Sequence, residues 1–486
     1  MIGRVGWARS GAVAALVSVL ALPACTAAPH RPGAGAGTPS PGAPVAAGSF
    51  APGSDGLADP YYPTSGNGGY DVAHYGLDLR YDPGTDRLTG TATITAVATM
   101  DLSRFNVDLR ELTVSRVTVD GAVAAATGRG DELVITPATG LVRGRQFVTV
   151  IAYGGVPQPY REDGLGEVGF LHTSDGAVAI GEPDVAASWF PVNDHPSDKA
   201  SYTITIAAPD GLSALANGQL EGRRSVGGWT SWTWSQAQPM APYLATVVIG
   251  RYRLVESTHD GKPVVLAVHA SLPTEVDGQL ARTPKVLDWL AELFGPYPFD
   301  AIGGVVINDQ RVRFALENQT LPVYGSLFFA GGKDGTWVIV HELAHQWYGN
   351  SVSVRDWRQI WLNEGFATYA EWLWSERHGG QTAQQTFDDY YRQSSLPMWQ
   401  VPPGNPGKPD LFDESVYTRG AMTLHALRMT VGDATFFRIL KAWAAAKKYG
   451  NATTEDFIAF AERESGRQLD NLFDGWLFQQ QRPPRP

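Results

Sequence analysis

Four side chains carry the sharpest chemistry in this chain. His341-Glu342-Leu343-Ala344-His345 sets two imidazoles four residues apart with a carboxylate beside the first. On a helix, that spacing projects both rings from nearly one face, so both can reach a single metal ion at roughly 2.0–2.1 Å. Glu342 points about a quarter-turn aside and flanks the metal instead of binding it. Trp337 to Trp347 suits a helix, with Asp334 as its N-cap and Gly349-Asn350 as its end. A catalytic zinc needs a third protein ligand and one open position. Glu364, nineteen residues beyond His345, lies in the first turn of a second aromatic-rich helix, Leu362 to about Arg377, and can face back onto the histidines. The reading is a His2Glu site for one zinc ion per chain. The chemistry expected of it is metal-assisted hydrolysis, with Glu342 as general base and then general acid.

The rest of the chain must hold those two helices. Of its 486 residues 43% are hydrophobic and 18% charged, with 15 Trp and 18 Tyr, which suffices for large buried cores. The net charge is −11 and no basic run is interleaved with aromatics, which argues against a nucleic-acid partner. From about Pro60 to Arg253, short runs alternate with period two: Tyr75–Tyr81, Thr91–Val97, Ser201–Ile206 and Tyr243–Ile249. Turn signals such as Gly66-Asn-Gly-Gly69 and Asp210-Gly211 separate them. The pattern predicts an antiparallel β domain. Pro263–Val268 and Gly303–Asn308 read as two further strands, with helical patterning over Glu275–Phe294 between them. Helices dominate from Asp334 onward. The class is α+β, divided into 1–24, 25–58, a β domain at 59–255 and a catalytic domain at 256–486. The polar, Pro-rich tail Gln479–Pro486 is expected to fray.

The opening residues read as an export signal. Met1–Arg9 carries two positive charges, and Ser10–Leu22 follows as thirteen residues without a charge. The segment closes in Leu22-Pro23-Ala24-Cys25, which resembles a bacterial lipobox. That resemblance implies a lipid on Cys25, the only cysteine, and anchoring to the extracytoplasmic face of the cell membrane. A plain secretory signal is the alternative. Thr26 to about Ala58, rich in Pro, Gly and Ala, reads as a flexible tether.

His341–Asn350 together with Trp361–Ala367 resembles the gluzincin aminopeptidases, the family of aminopeptidase N and leukotriene hydrolase. The likeness runs over roughly residues 60–450 and implies a thermolysin-like, mainly helical catalytic domain acting on peptides with a free N-terminus. Phe314-Ala315-Leu316-Glu317-Asn318 resembles the family's Gly-x-Met-Glu-Asn run, with Phe314 in place of the usual Gly. The resemblance implies that Glu317 grips the substrate's α-ammonium, with Ala315 and Asn318 in the same substrate-binding run. Gly181-Glu182 and the following Trp189-Phe-Pro-Val-Asn-Asp-His-Pro196 resemble the family's Phe-Pro-x-x-Asp-x-Pro segment, which implies Glu182 as a second anchor for the amine. Tyr417-Thr-Arg-Gly420 resembles a Tyr-x-Lys-Gly run, implying that the Tyr417 hydroxyl stabilises the oxyanion. Family members usually continue for several hundred residues, whereas about seventy follow Tyr417 here, so an open cleft is expected. Such a cleft leaves a zinc endopeptidase or dipeptidase as an alternative. An inactive peptide-binding surface lipoprotein is the alternative from another class.

Overall fold

The period-two runs become strands because each buries every second side chain. In Tyr70–Asp82 the inward set includes Tyr75, Leu77, Leu79 and Tyr81, while Asp78 and Arg80 face water. This strand pairs antiparallel with Arg87–Ala98, and the two sit inside an eight-stranded sheet. A four-stranded and a five-stranded sheet complete the first half. The expected antiparallel character has two exceptions: Ala200–Pro209 lies parallel to Tyr70–Asp82, and Ala51–Pro52 lies parallel to Leu102–Asp108. In both pairs the chain leaves for other strands and returns in the same direction.

The computed structural model describes residues 49–393, 395 and 397–486. The signal segment 1–24, Cys25 and most of the tether lie outside the described residues. The tether reading of 25–58 runs too far, because Ala51 N–H donates to the Asp101 carbonyl at 2.9 Å within the parallel pair. Just beyond, the buried Asp59 carboxylate accepts from the N–H groups of Tyr61, Tyr62 and Trp357. Tyr243–Ile249 is not one strand either. Pro242, with its fixed φ and no N–H, opens a 3-10 turn over Pro242–Leu244, and pairing resumes at Val247.

The second half begins with the hairpin Tyr252–His259 and Lys262–His269, so a division at 255/256 would cut a strand. The hairpin joins Ile302–Ile307, Val323–Gly325 and Ala315–Leu316, the last being the outer strand of the sheet. Helices α1 (Glu275–Leu280) and α2 (Thr283–Phe294) replace the single expected helix, with Pro284 in the first turn of the second. Then come α3 (Thr336–Ala344) and α4 (Trp361–Arg377), followed by α5 (Ala383–Arg392), α6 (Gly420–Val431), α7 (Asp433–Ala446), α8 (Thr454–Ser465) and α9 (Asp470–Phe473). Among the described residues no helix is long and apolar enough to cross a membrane.

The tail is tied to the body at Gln479 and Pro483. Arg419, fully buried, donates to the carbonyls of Gly475, Trp476 and Gln479 at the chain's end and of Trp399 in a preceding loop. The Tyr391 hydroxyl adds a bond to the Pro483 carbonyl at 2.9 Å. An arginine has five donors in a rigid fork, which is why one side chain can gather so many carbonyls.

Candidate active site

Helix α3 is buried on almost every side, since Val338, Ile339, Val340, Leu343 and Ala344 pack inward alongside His341 and Glu342. Helix α4 crosses close to it and places Glu364 in its first turn. Helix α6 comes nearer still to α4. A Cβ on Gly420 would stand 3.0 Å from the Gly365 Cα, and one on Gly365 2.9 Å from the Gly420 carbonyl carbon. Two glycines thus let the backbone beside Glu364 touch the backbone that follows Tyr417.

The three expected ligands converge. Glu364 Oε2 lies 3.2 Å from His341 Nε2 and 3.5 Å from His345 Nε2. Ligand atoms at tetrahedral corners ~2.05 Å from a zinc ion would be about 3.3 Å apart, so the spacing fits that ion. The outward nitrogens are held as well. His341 Nδ1 donates to Glu371 Oε1 at 2.6 Å, and His345 Nδ1 donates to the Tyr348 carbonyl at 3.0 Å. Each bond fixes a ring's tautomer and leaves Nε2 as the free lone pair.

The charge around this trio is anionic. Glu182, Glu317, Glu342 and Glu364 are all buried around two imidazoles. Burial alone would raise the Glu364 carboxyl, but the two histidines outweigh it and hold it at about 2. Burial acts against charge on His345, yet Glu364 and Glu317 lift it to about 9. Burial also pushes Glu342 up to about 8, against the pull of His341 and His345. A pocket that so strongly favours positive charge on its nitrogens suits a divalent cation.

Most of the remaining residues lie along a cleft of about 430 Å³. Glu317, just past the outer strand, accepts from the Tyr243 hydroxyl at 2.9 Å, and its carboxylate clusters with those of Glu342 and the His345 ring within 4.8 Å. Glu182 follows the strand Ala177–Ile180 of the β half and reaches the same cleft, where its buried Oε2 has no hydrogen-bond partner. Ala315 also lines the cleft. Asn318 does not: its amide turns away to donate to the Leu244 carbonyl at 3.1 Å, because the buried backbone there needs a partner. Tyr417 lies in a π-helical turn, Ser415–Arg419, with its ring 6.1 Å from that of His341 and nearly parallel to it. Burial, followed by the surrounding carboxylates, pushes its hydroxyl well above the ordinary phenol range, so it stays a neutral donor. The Arg419 cation, by contrast, takes no part in the cleft.

Four residues that matter here escaped the sequence reading. Glu371 orients His341, and its signal was present: it stands seven residues after Glu364, two turns along the same face of α4. Gln346 and Asn350 each donate to the Glu317 carbonyl, at 3.0 and 2.7 Å, and so fix the Glu317 backbone. Tyr243 comes from the other half of the chain, and nothing local marks it.

Comparison with known proteins agrees with this geometry. The Peptidase M1 N-terminal domain model matches residues 72–244 and the Peptidase family M1 domain model matches residues 279–476. The chain belongs to peptidase family M1. Aminopeptidase N of Streptomyces lividans is 28% identical over 415 residues, covering 76% of this chain and 46% of that protein. A crystal structure of an M1 zinc metallopeptidase from Deinococcus radiodurans is 30% identical with a TM-score of 0.80, covering 89% of this chain and 99% of that one. A mutant of that metallopeptidase bound to a Tyr-Ser-Ala substrate matches at 29% identity and a TM-score of 0.81. The chain spans less than half the length of the curated relatives it matches.

Proposed function

We propose that this chain is a zinc aminopeptidase that removes single residues from peptide N-termini. The observation that carries the reading is the pair of buried carboxylates, Glu317 and Glu182, beside the metal-ligand trio, one of them with an unpartnered oxygen. A buried carboxylate of that kind calls for a cation, and an α-ammonium group supplies one at a fixed distance from the first peptide bond. The metallopeptidase with bound Tyr-Ser-Ala supports a peptide in this cleft.

His341, His345 and Glu364 would hold the zinc. When bound, zinc supplies a Lewis acid for the scissile carbonyl and makes water more acidic. Glu317 and Glu182 set the register by holding the amine. Glu342, whose burial raises its proton affinity, takes a proton from the attacking water and delivers it to the departing amine. The Tyr417 hydroxyl donates to the carbonyl oxygen as negative charge develops there.

The deciding measurement compares leucine p-nitroanilide with its N-acetyl derivative. Release from the free amine alone is expected, and equal release from both would remove the exopeptidase reading. Glu342→Gln is expected to abolish turnover while one zinc per chain remains by elemental analysis. We also propose export with a lipid on Cys25, which rests on the opening sequence alone. Cys25→Ala is expected to shift the protein from the membrane fraction to the medium, and unchanged membrane retention would overturn that part.

A further inference from the structure

The active-site cleft is lined by glutamates, yet one cation stands on its wall. Arg313 lies four residues before Glu317, ahead of the outer strand Ala315–Leu316, and lines the same cleft. Its side chain makes no ion pair and no hydrogen bond among the described residues. The contrast with its neighbour is informative. Arg311, two residues earlier, is engaged by Asp309 at 2.7 Å and by Glu167 at 3.6 Å, and it also donates to the His172 carbonyl. Three glutamates of the cleft are engaged elsewhere, Glu364 with both histidines, Glu371 with His341, and Glu317 with the Tyr243 hydroxyl, while Glu182 Oε2 is left without a partner. A guanidinium in so acidic a cleft would be expected to fold onto one of them, and this one does not.

Arg313 is also on a firm base. The Phe314 carbonyl accepts from Gly325 N–H at 3.2 Å, and Val312 N–H donates to the Asp309 carbonyl at 3.2 Å. Gly325 packs so tightly here that a Cβ on it would stand 2.5 Å from the Val312 carbonyl oxygen. Four residues of chain span at most roughly 13–14 Å, so the Arg313 backbone stays within about a short peptide's length of Glu317, and both side chains line the one cleft.

We propose that Arg313 is a specificity-determining residue that receives a carboxylate of the substrate. This rests on the aminopeptidase reading, because Glu317 and Glu182 must first fix the peptide's amine. A carboxylate matches the planar fork of an arginine with two parallel hydrogen bonds, which neither a neutral amide nor an ammonium can do. That carboxylate has two sources, an acidic side chain near the N-terminus or the free C-terminus of a very short peptide. The Arg313 site gives both an advantage over their neutral isosteres.

The test uses the zinc-loaded full chain and matched peptides. Three ratios of kcat/KM are measured: Glu-Gly-Gly amide over Gln-Gly-Gly amide, Leu-Glu-Gly amide over Leu-Gln-Gly amide, and Leu-Gly-Gly over its amide. The first two report a side-chain carboxylate and the third a free C-terminus. At least one ratio is expected to reach about tenfold in the native protein. Arg313→Gln should bring that ratio close to one, and Arg313→Lys should keep part of it, since the charge remains without the fork. Because Arg313 is exposed, both variants are expected to fold, which circular dichroism checks. Ratios within twofold of one throughout, or a preference that survives in Arg313→Gln, would overturn the assignment while leaving the aminopeptidase intact. No release of an N-terminal residue from any neutral peptide would instead sink the parent reading, and this one with it.

Discussion

Replacing Glu371 by Gln tests whether the carboxylate behind His341 tunes the metal site. Glu371 Oε1 accepts from His341 Nδ1 at 2.6 Å, a short charge-assisted bond that orients the ring and makes Nε2 a better donor to a cation. Glutamine keeps the shape and removes the charge. The Glu371 side chain is 22% exposed, so solvent screens part of the interaction and the lower end of the usual range applies. We expect about 1.4–2 kcal/mol of lost zinc affinity, which is ten- to thirtyfold in Kd. Competition against a chromogenic chelator measures that constant directly. The metal-free variant should melt within a degree or two of the metal-free parent, because only one hydrogen bond to a rotatable side chain has changed. Glu371→Ala, which leaves the ring without any partner, should weaken zinc binding further, towards a hundredfold. Equal zinc affinity in parent and Glu371→Gln would refute the reasoning, and would mean that packing alone orients the His341 ring.

Three further outcomes follow from the same geometry. Tyr417→Phe should lower kcat by roughly 10²–10³ with zinc affinity unchanged, as loss of one oxyanion donor does; equal kcat would remove Tyr417 from the chemistry. Gly420→Ala should cost about 1–3 kcal/mol by urea denaturation and also lower kcat, because the added methyl pushes α6 and the preceding Tyr417 turn away from α4. Burial, then the nearby Asp71, raises the Asp198 carboxyl to about 7 in the folded chain, so it keeps a proton that the unfolded chain releases above about pH 4. Its contribution to stability is therefore full at low pH and is lost as pH rises towards 7. Asp198→Asn should flatten the fall in unfolding free energy between pH 5 and 7 by up to about 1.4 kcal/mol per pH unit, and an unchanged slope would count against it.

What could be read in advance depended on whether the signal was local. The strands around Tyr75 and Thr91 were legible because their inward residues alternate, and the histidine pair was legible because helical geometry turns a spacing of four into one face. Glu371 obeyed the same rule and was missed only because no ligand role drew attention to it. Other features had no local signal. Asn318 sits in the run next to Glu317, yet it serves the Leu244 carbonyl, a partner 74 residues away in sequence. The tail reads as polar and frayed because its own residues are; what fixes it is Arg419, some 60 positions earlier. The strand expected over Tyr243–Ile249 lost its first residues to a 3-10 turn set up by Pro242 just before it, which the apolar alternation did not reveal.

On the proposed mechanism, register and chemistry are divided between the two halves of the fold. His341, His345, Glu364, Glu342 and Tyr417 all come from the helical half, so on the proposed mechanism that half holds the metal and the groups that move protons. The proposed amine anchors depend on the β half. Glu182 belongs to it outright, Tyr243 braces Glu317 from it, and Asn217 and Gly218 clamp the loop after Glu317 through bonds of 2.8 Å to the Gln319 carbonyl and 2.7 Å to Thr320 Oγ1. The Lys199 ammonium of the β half closes the other side, donating to the carbonyls of Asn350 and Ser351 at 2.8 and 3.0 Å, just beyond α3. Asn350 in turn holds the Glu317 backbone. If Glu317 and Glu182 hold the amine as proposed, the β half would act on the reaction by deciding which peptide bond stands opposite the metal, and restriction to the first bond would be a property of the joint between the halves.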